Sequence, residues 1–401
     1  MHFLRKKQYF LTGVLLLVLI TGCLNSKNKP TKINKYSQRL DQIALKATNN
    51  LKLIPFDSLK IPRSIDKKGQ LKGTPSQSWT SGFFPGTLWQ LYLHSSSEVL
   101  KQAAIQWNAP IEKEKLNTSD HDIGFKIYCS FGNGWQATHL PNYKDICVIA
   151  ARSLSQRYNP NVHAIKSWDH MSKRWKYPVI IDNMMNLELL FEATKFTRDS
   201  SFYYIANQHA LTTLTNHFRK NNSSYHVIDY DPITGDVLHK NTHQGFSDNS
   251  AWSRGQAWGL YGFTVAYRYT KNKDFLAQAQ KIATFFFTHP NLPDDFIPYW
   301  DFDAPNIPNE PRDVSAATVA ASGLLELAKY DPINQKKYLN WAETILESLN
   351  KPKYQSNIPP FILNHSVGSI PGQFEVDVPI IYADYYYIEA LRRMKNWSKL
   401  N

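Results

Sequence analysis

The stretch 251-AWSRGQAWGLYGFTVAYRYTKNKDFLAQAQKIATFFFT-288 decides the fold. Its apolar residues recur at helical period in two runs, near 251–271 and 273–288, which predicts a helical hairpin. The same pattern continues outward, near 35–52, 84–95, 98–115, 122–138, 142–158, 182–196 and 201–219 on one side, and near 314–329, 335–350 and 382–396 on the other. Loops rich in Asn, Asp, Pro and Gly separate the runs, and strand-like alternation is scarce. About twelve helices make about six hairpins, and six hairpins close into a double ring: the expected fold is all-α, an (α/α)6 barrel. An open helical solenoid needs a sequence repeat of about 34–45 residues, and none is visible. One exception is Tyr225-His226-Val227-Ile228-Asp229-Tyr230 followed by Asp231-Pro232-Ile233-Thr234-Gly235-Asp236, which predicts a short β-hairpin at the barrel rim.

The chain opens with MHFLRKKQYFLTGVLLLVLITGC, in which Arg5, Lys6 and Lys7 precede a short apolar run. A membrane span needs about 20 apolar residues, so the run is expected to be an export signal. Ile20-Thr21-Gly22-Cys23 resembles a lipobox, making Cys23 the expected lipidated N-terminus of the mature protein. The expected organisation is a signal peptide over 1–22, a tether over 23–34 and one catalytic domain over 35–401. Beyond Cys23 only Cys129 and Cys147 remain, so no disulfide framework holds the domain. The net charge of +13 suits nucleic acid, a membrane surface or an acidic substrate. Export argues against nucleic acid, and the expected contact with membrane is through the lipid alone. Oligomeric state is left open.

Four segments are too polar and aromatic for ordinary core: Ser78-Trp79-Thr80-Ser81-Gly82-Phe83-Phe84-Pro85-Gly86, His121-Asp122-Ile123-Gly124-Phe125, Ile181-Asp182-Asn183-Met184-Met185-Asn186, and residues 244–258. Each precedes or opens a helix. Taken alone, Asp122 and Asp182 have an ordinary explanation, because Asp at a helix start accepts a bond from a free backbone N–H.

Six strings in order, SWTSGFFPG, HDIGF, DNMMN, QGFSDNSAWSRGQAWGLYG, PYWDFDAP and VDVPIIYADYYYIEAL, resemble glycoside hydrolase family 88, the unsaturated glucuronyl hydrolases. The resemblance runs over roughly residues 40–396 and outweighs the capping explanation. It implies an enzyme that hydrates the C4–C5 double bond of a non-reducing-end uronate left by a polysaccharide lyase. By the same resemblance Asp182 protonates C4 and then activates water, while Asp122 is the second carboxylate, holding geometry and charge. A carboxylic acid working near neutral pH needs a raised pKa, from desolvation or a neighbouring carboxylate. Met184, Met185 and nearby aromatics are expected to supply the first, and Asp122 the second. His226 and Gln244 resemble residues that contact the uronate. Arg254 suits its carboxylate, or else holds the pocket through hydrogen bonds. Trp79, Trp168 and Trp258 are expected to offer flat faces to the sugar.

No cofactor and no metal are expected, since hydration needs only an acid and a base. His239 and His243 have a metal-like spacing but lack the helix and the Glu of a zinc motif. Family members acting on sulfated units often carry a Ser/Lys pattern near the C-terminus. The corresponding stretch here, His365-Ser366-Val367-Gly368-Ser369-Ile370-Pro371, has no lysine. Chondroitin, hyaluronan, heparin and algal sulfated glucuronan fragments all remain possible sources. The rival readings are an unsaturated rhamnogalacturonyl hydrolase and a lipid-anchored glycan-binding protein.

Overall fold

Helical period becomes twelve α-helices among residues 34–398, the part of the chain that the computed structural model describes. They are α1 (Lys35–Asn50), α2 (Phe83–Ser95), α3 (Glu98–Asn108), α4 (Asn133–Thr138), α5 (Pro141–Ser155), α6 (Asn183–Thr197), α7 (Ser200–Asn216), α8 (Ser253–Thr270), α9 (Lys273–Thr288), α10 (Val314–Leu327), α11 (Gln335–Leu349) and α12 (Ile381–Trp397). The signal segment, Cys23 and the tether lie outside the described residues, except Asn34, whose side chain caps α1 by accepting from Tyr36 N (2.9 Å) and Ser37 N (3.3 Å). No helix among the described residues is long and apolar enough to cross a membrane.

Two runs fold differently from expectation. The run near 98–115 is α-helical only to Asn108 and continues as a 3₁₀ stretch, Ala109–Leu116, because Pro110 has no N–H for the α ladder. The run near 122–138 begins as a π-helical segment, Gly124–Gly132, that passes into α4.

The even-numbered helices close a ring. α2 packs on the π-helical segment, that segment on α6, α6 on α8, α8 on α10, α10 on α12, and α12 back on α2. The odd-numbered helices lie outside them, α9 against α8 and α11 against α10, for example. This is the (α/α)6 barrel. Position in the ring explains composition: every residue of α10, VSAATVAASGLLEL, is buried, and its small side chains let neighbours approach on all sides. The outer α11 buries one stripe, Tyr338, Ala342, Ile345, Leu346, Ser348 and Leu349, and exposes Lys336, Lys337, Asn340 and Glu347 on the opposite side.

Connections differ at the two ends of the barrel. From inner to outer helix the chain turns tightly at Ser96, Arg198 and Lys271, each left-handed, with φ of 56°, 66° and 59°. Asp199 and Asn272 then cap α7 and α9. From outer to inner helix the connections are long and carry all the strands: β1 (Ile61–Ile65), β2 (Leu71–Thr74), β3 (Tyr158–Asn159), β4 (Ala164–Ile165), β5 (Pro178–Ile180), β6 (Val227–Tyr230), β7 (Val237–Asn241), β8 (Ser366–Ser369) and β9 (Phe374–Val378). The expected hairpin is β6–β7, and β5 joins it to make a three-stranded antiparallel sheet. Irregular chain able to present side chains is therefore gathered where the inner helices begin.

Toward the other end, ion pairs fill the bore. Arg268 meets Glu188 and Glu326, Arg393 meets Glu326 (3.1 Å), and Tyr261 donates to Glu389 (2.8 Å). Burial alone would raise the Glu326 carboxyl, but Arg268 and Arg393 outweigh it and hold it at about 2. Each charge here has a partner, which is the condition for burying it at all.

Candidate active site

Asp182 occupies the N-cap position of α6, but its side chain accepts no capping bond. The helix-cap explanation therefore fails for it. Its Oδ2 is buried with no hydrogen-bond partner, although the side chain keeps 12% of its surface. Asp122 sits just before the π-helical segment, with its Oδ1 3.4 Å from His121 Nε2. It does not cap that segment either, since the cap position is Ile123.

Local sequence brings the two carboxylates together. From α6, Asn186 reaches across so that Phe125 N–H donates to its Oδ1 (2.8 Å). Asn183 donates to Ile165 O (2.8 Å) and accepts from Ser167 Oγ (2.8 Å), which itself accepts from Ile180 N (2.9 Å). The approach requires glycine at 124, because a Cβ there would stand 2.7 Å from Asn186 Cα and Oδ1. His121 N–H donates to Ser167 O (2.9 Å), tying the Asp122 loop to the Trp168 loop.

Burial raises the Asp182 carboxyl from 3.8 to about 7, against the pull of the Arg254 charge and the Trp258 indole N–H. Met184 is fully buried beside it in sequence and Met185 nearly so. Burial also raises Asp122 well above the carboxylate range, with Asp120 and Asp182 adding repulsion and Lys126 and Asn186 opposing. Desolvation is thus the largest cause at both carboxyls, and like-charge repulsion adds to it at Asp122. The neighbouring imidazoles are neutral, because burial lowers His121 to about 3 and His226 well below its usual value.

His226 faces Asp182, with Nε2 3.7 Å from Oδ2. Its Nδ1 accepts the backbone N–H groups of His243 (3.0 Å) and Gln244 (3.1 Å), so the neutral ring carries its proton on Nε2, toward the carboxyl. Gln244 donates from its side chain to Gly368 O (3.1 Å). Arg254 donates to Asp313 Oδ2 (3.0 Å), Val367 O and Gly368 O (2.8 Å), and only its Nε lacks a partner. Of the two roles foreseen for Arg254, the structure shows it holding the β8 wall.

The tryptophans divide. Trp79 is half-buried at the edge of an aromatic cluster, 4.9 Å from Tyr382 and 5.6 Å from Phe125. Trp168 stacks on His170 (5.3 Å) beside His243 (5.6 Å). Trp258 does not offer a face: its ring is fully buried against Phe125 (5.2 Å) and Tyr386 (5.5 Å), and only its indole N–H, which acts on the Asp182 carboxyl, is left for the site. Trp252, His121 and Tyr382 were not singled out from sequence, yet all three stand in the strings that marked the site. Trp252 lies 4.6 Å from His226 and under the Arg254 guanidinium (4.5 Å), and the Tyr382 hydroxyl is buried without a partner. Asp313 had no such signal. His239 lies in β7, while His243 packs on Trp168 and Trp175; among the described residues no group of three His, Cys, Asp or Glu could hold a metal.

No family model matches the chain. Its sequence is 45% identical to an unsaturated glucuronyl hydrolase of Formosa agariphila over 401 residues, covering 98% of this chain and 99% of that one. Among solved structures it is similar to an unsaturated glucuronyl hydrolase specific for heparin, with TM-score 0.87, 42% identity, and 91% and 98% of the two chains covered. It is also similar to an Asp-to-Asn variant of the Streptococcus agalactiae unsaturated glucuronyl hydrolase complexed with dGlcA-GalNAc6S, with TM-score 0.76, 29% identity, and 90% and 92% covered.

Proposed function

The chain belongs to the unsaturated glucuronyl hydrolases of glycoside hydrolase family 88, and from that premise we propose how its site works on an unsaturated uronate. Asp182 delivers its proton to C4 of the C4–C5 double bond. Positive charge develops at C5 and the ring oxygen. A water then adds its oxygen at C5 and returns a proton to the Asp182 carboxylate. The hemiketal opens and the aglycone leaves as an alcohol. Asp122 is the second carboxyl, and because two neighbouring carboxyls cannot both ionise readily the pair holds one proton in the active form. The neutral His226 presents an N–H to the same space. Trp79 and Trp168 border the sugar, Trp258 turns its N–H edge inward, and Arg254 with Gln244 holds the β8 strand that forms the far wall.

The observation that carries this reading is Asp182 itself, a buried helix-start carboxyl that caps nothing, leaves one oxygen without a partner and retains its proton to about pH 7. Activity is expected to remove the ultraviolet absorbance of the conjugated uronate. In ¹⁸O-water the label is expected at C5 of the product, while saturated glucuronides stay intact, since an sp³ C4 offers no electrons to protonate. Label at C1, or release of glucuronic acid from a saturated disaccharide, overturns the mechanism. A panel of lyase-generated disaccharides identifies the preferred source. Ser366, whose buried Oγ has no partner, belongs to the wall the neighbouring sugar meets.

We also propose that the enzyme is an exported lipoprotein carrying its lipid on Cys23. The basic residues, the short apolar run and Ile20-Thr21-Gly22-Cys23 support that reading. No run of Asp or Glu follows Cys23, which favours a periplasm-facing anchor. Cys23→Ala is expected to accumulate at precursor mass. Protease treatment of intact cells is expected to spare the wild type, and its removal by that treatment excludes the periplasmic placement.

A further inference from the structure

Lys126 is a lysine with no exposed side-chain surface, in the first turns of the π-helical segment. Its Nζ lies 2.7 Å from Asp120 Oδ2. Asp120 in turn accepts the Asp122 N–H on its other oxygen, Oδ1 (2.8 Å), and Lys126 N–H donates to Asp122 O (3.0 Å). The ion pair is thus bolted to both sides of the Asp122 backbone. A buried ammonium is costly, and a loop aspartate with a quarter of its side chain in water needs no such partner for its own sake. The charges around Asp122 give the reason. Its own segment contributes Asp120, Lys126 and the neutral His121, and α6 contributes Asp182 and Asn186. From α8, Arg254 acts on Asp182 but is already paired with Asp313, so on the Asp122 side three carboxyls meet one lysine. We propose that Lys126, held by Asp120, is a positioning residue that supplies the buried counter-charge of the Asp122/Asp182 pair and keeps one of the two carboxyls ionised in the working enzyme. The proposal rests on the acid–base reading of that pair.

Two interacting carboxyls titrate as a unit, so the limbs of the pH profile belong to the pair. Removing a nearby cation raises both limbs, and removing a nearby anion lowers them. Lys126→Met is expected to move the acidic limb of kcat/KM upward by about one pH unit. Asp120→Asn, which leaves Lys126 unopposed, is expected to move it downward. Lys126→Arg keeps the charge and is expected to restore the wild-type limb. A merely structural lysine predicts lower thermal stability with no displacement of the profile. Asp120 is part-exposed, so its variant reads the sign even if Lys126→Met does not fold; an acidic limb that stays put or rises in Asp120→Asn overturns the proposal. Asp182→Asn assayed alongside separates the two failures. If that variant stays active the acid–base reading itself is wrong, whereas a dead Asp182→Asn with unmoved limbs sinks only the role of Lys126.

Discussion

Asp182→Asn is expected to lower kcat by more than the roughly 10²–10⁴-fold typical of one acid–base group, because a single carboxyl performs both proton transfers. The amide keeps the shape and the 3.7 Å neighbourhood of His226 Nε2, so substrate binding should survive. A variant retaining more than about a tenth of wild-type kcat refutes the assignment, since a spectator carboxyl sits within the lower bound of such effects. The same substitution carries a stability signature. A carboxyl raised from 3.8 to about 7 binds a proton more tightly folded than unfolded, so its contribution to stability is full below pH 3.8 and is lost as pH rises to about 7. Ionising it in place costs up to about 4 kcal/mol. Asp182→Asn escapes that cost, and thermal melts are expected to show it more stable than wild type at pH 8, with the gain gone below pH 4. Wild-type activity, by the same sign, is expected to fall as pH rises through the upper limb of the pair.

Arg254→Met is expected to cost stability first and activity as a consequence. The guanidinium is 1% exposed and holds Asp313, itself fully buried, together with the carbonyls of Val367 and Gly368. Removing one member of a buried pair leaves the other charge uncompensated, which costs about 3–5 kcal/mol. In a domain of this size that is a fall in Tm on the order of 5 °C or more. The β8 strand loses its anchor, so KM should rise along with the fall in kcat. Arg254→Met/Asp313→Asn removes both charges, and much of the lost stability should return. A single variant with wild-type Tm but lost binding reverses the order, making Arg254 a direct ligand of the uronate.

Helical period is a property of neighbours three and four residues apart, and for that reason the twelve helices and their closure in pairs were legible in the sequence, as was the β6–β7 hairpin with its Gly235 turn. Two runs departed from the expected α geometry. Pro110 converts the end of the third run to 3₁₀ geometry, a local effect that was available to see. The π-helical start of the fourth carried no such local mark. The site followed the same division. The aromatic and polar strings located nearly every side chain around Asp182, including Trp252 and Tyr382, which stand in them unremarked. What those side chains do was decided by tertiary contacts. Asp182 at a helix start is a cap by sequence, yet the barrel desolvates it and leaves its oxygen unbonded. Trp258 is a flat face by type, yet Phe125 and Tyr386 cover the face and leave the edge. Lys126 was not singled out from sequence, and only the closed inner ring removes its ammonium from water and sets it against Asp120. Local pattern determines which elements form and which residues point toward one end of the barrel. Burial, and with it protonation and the choice of hydrogen-bond partner, depends on everything packed around a group, and that exists only once the ring has closed.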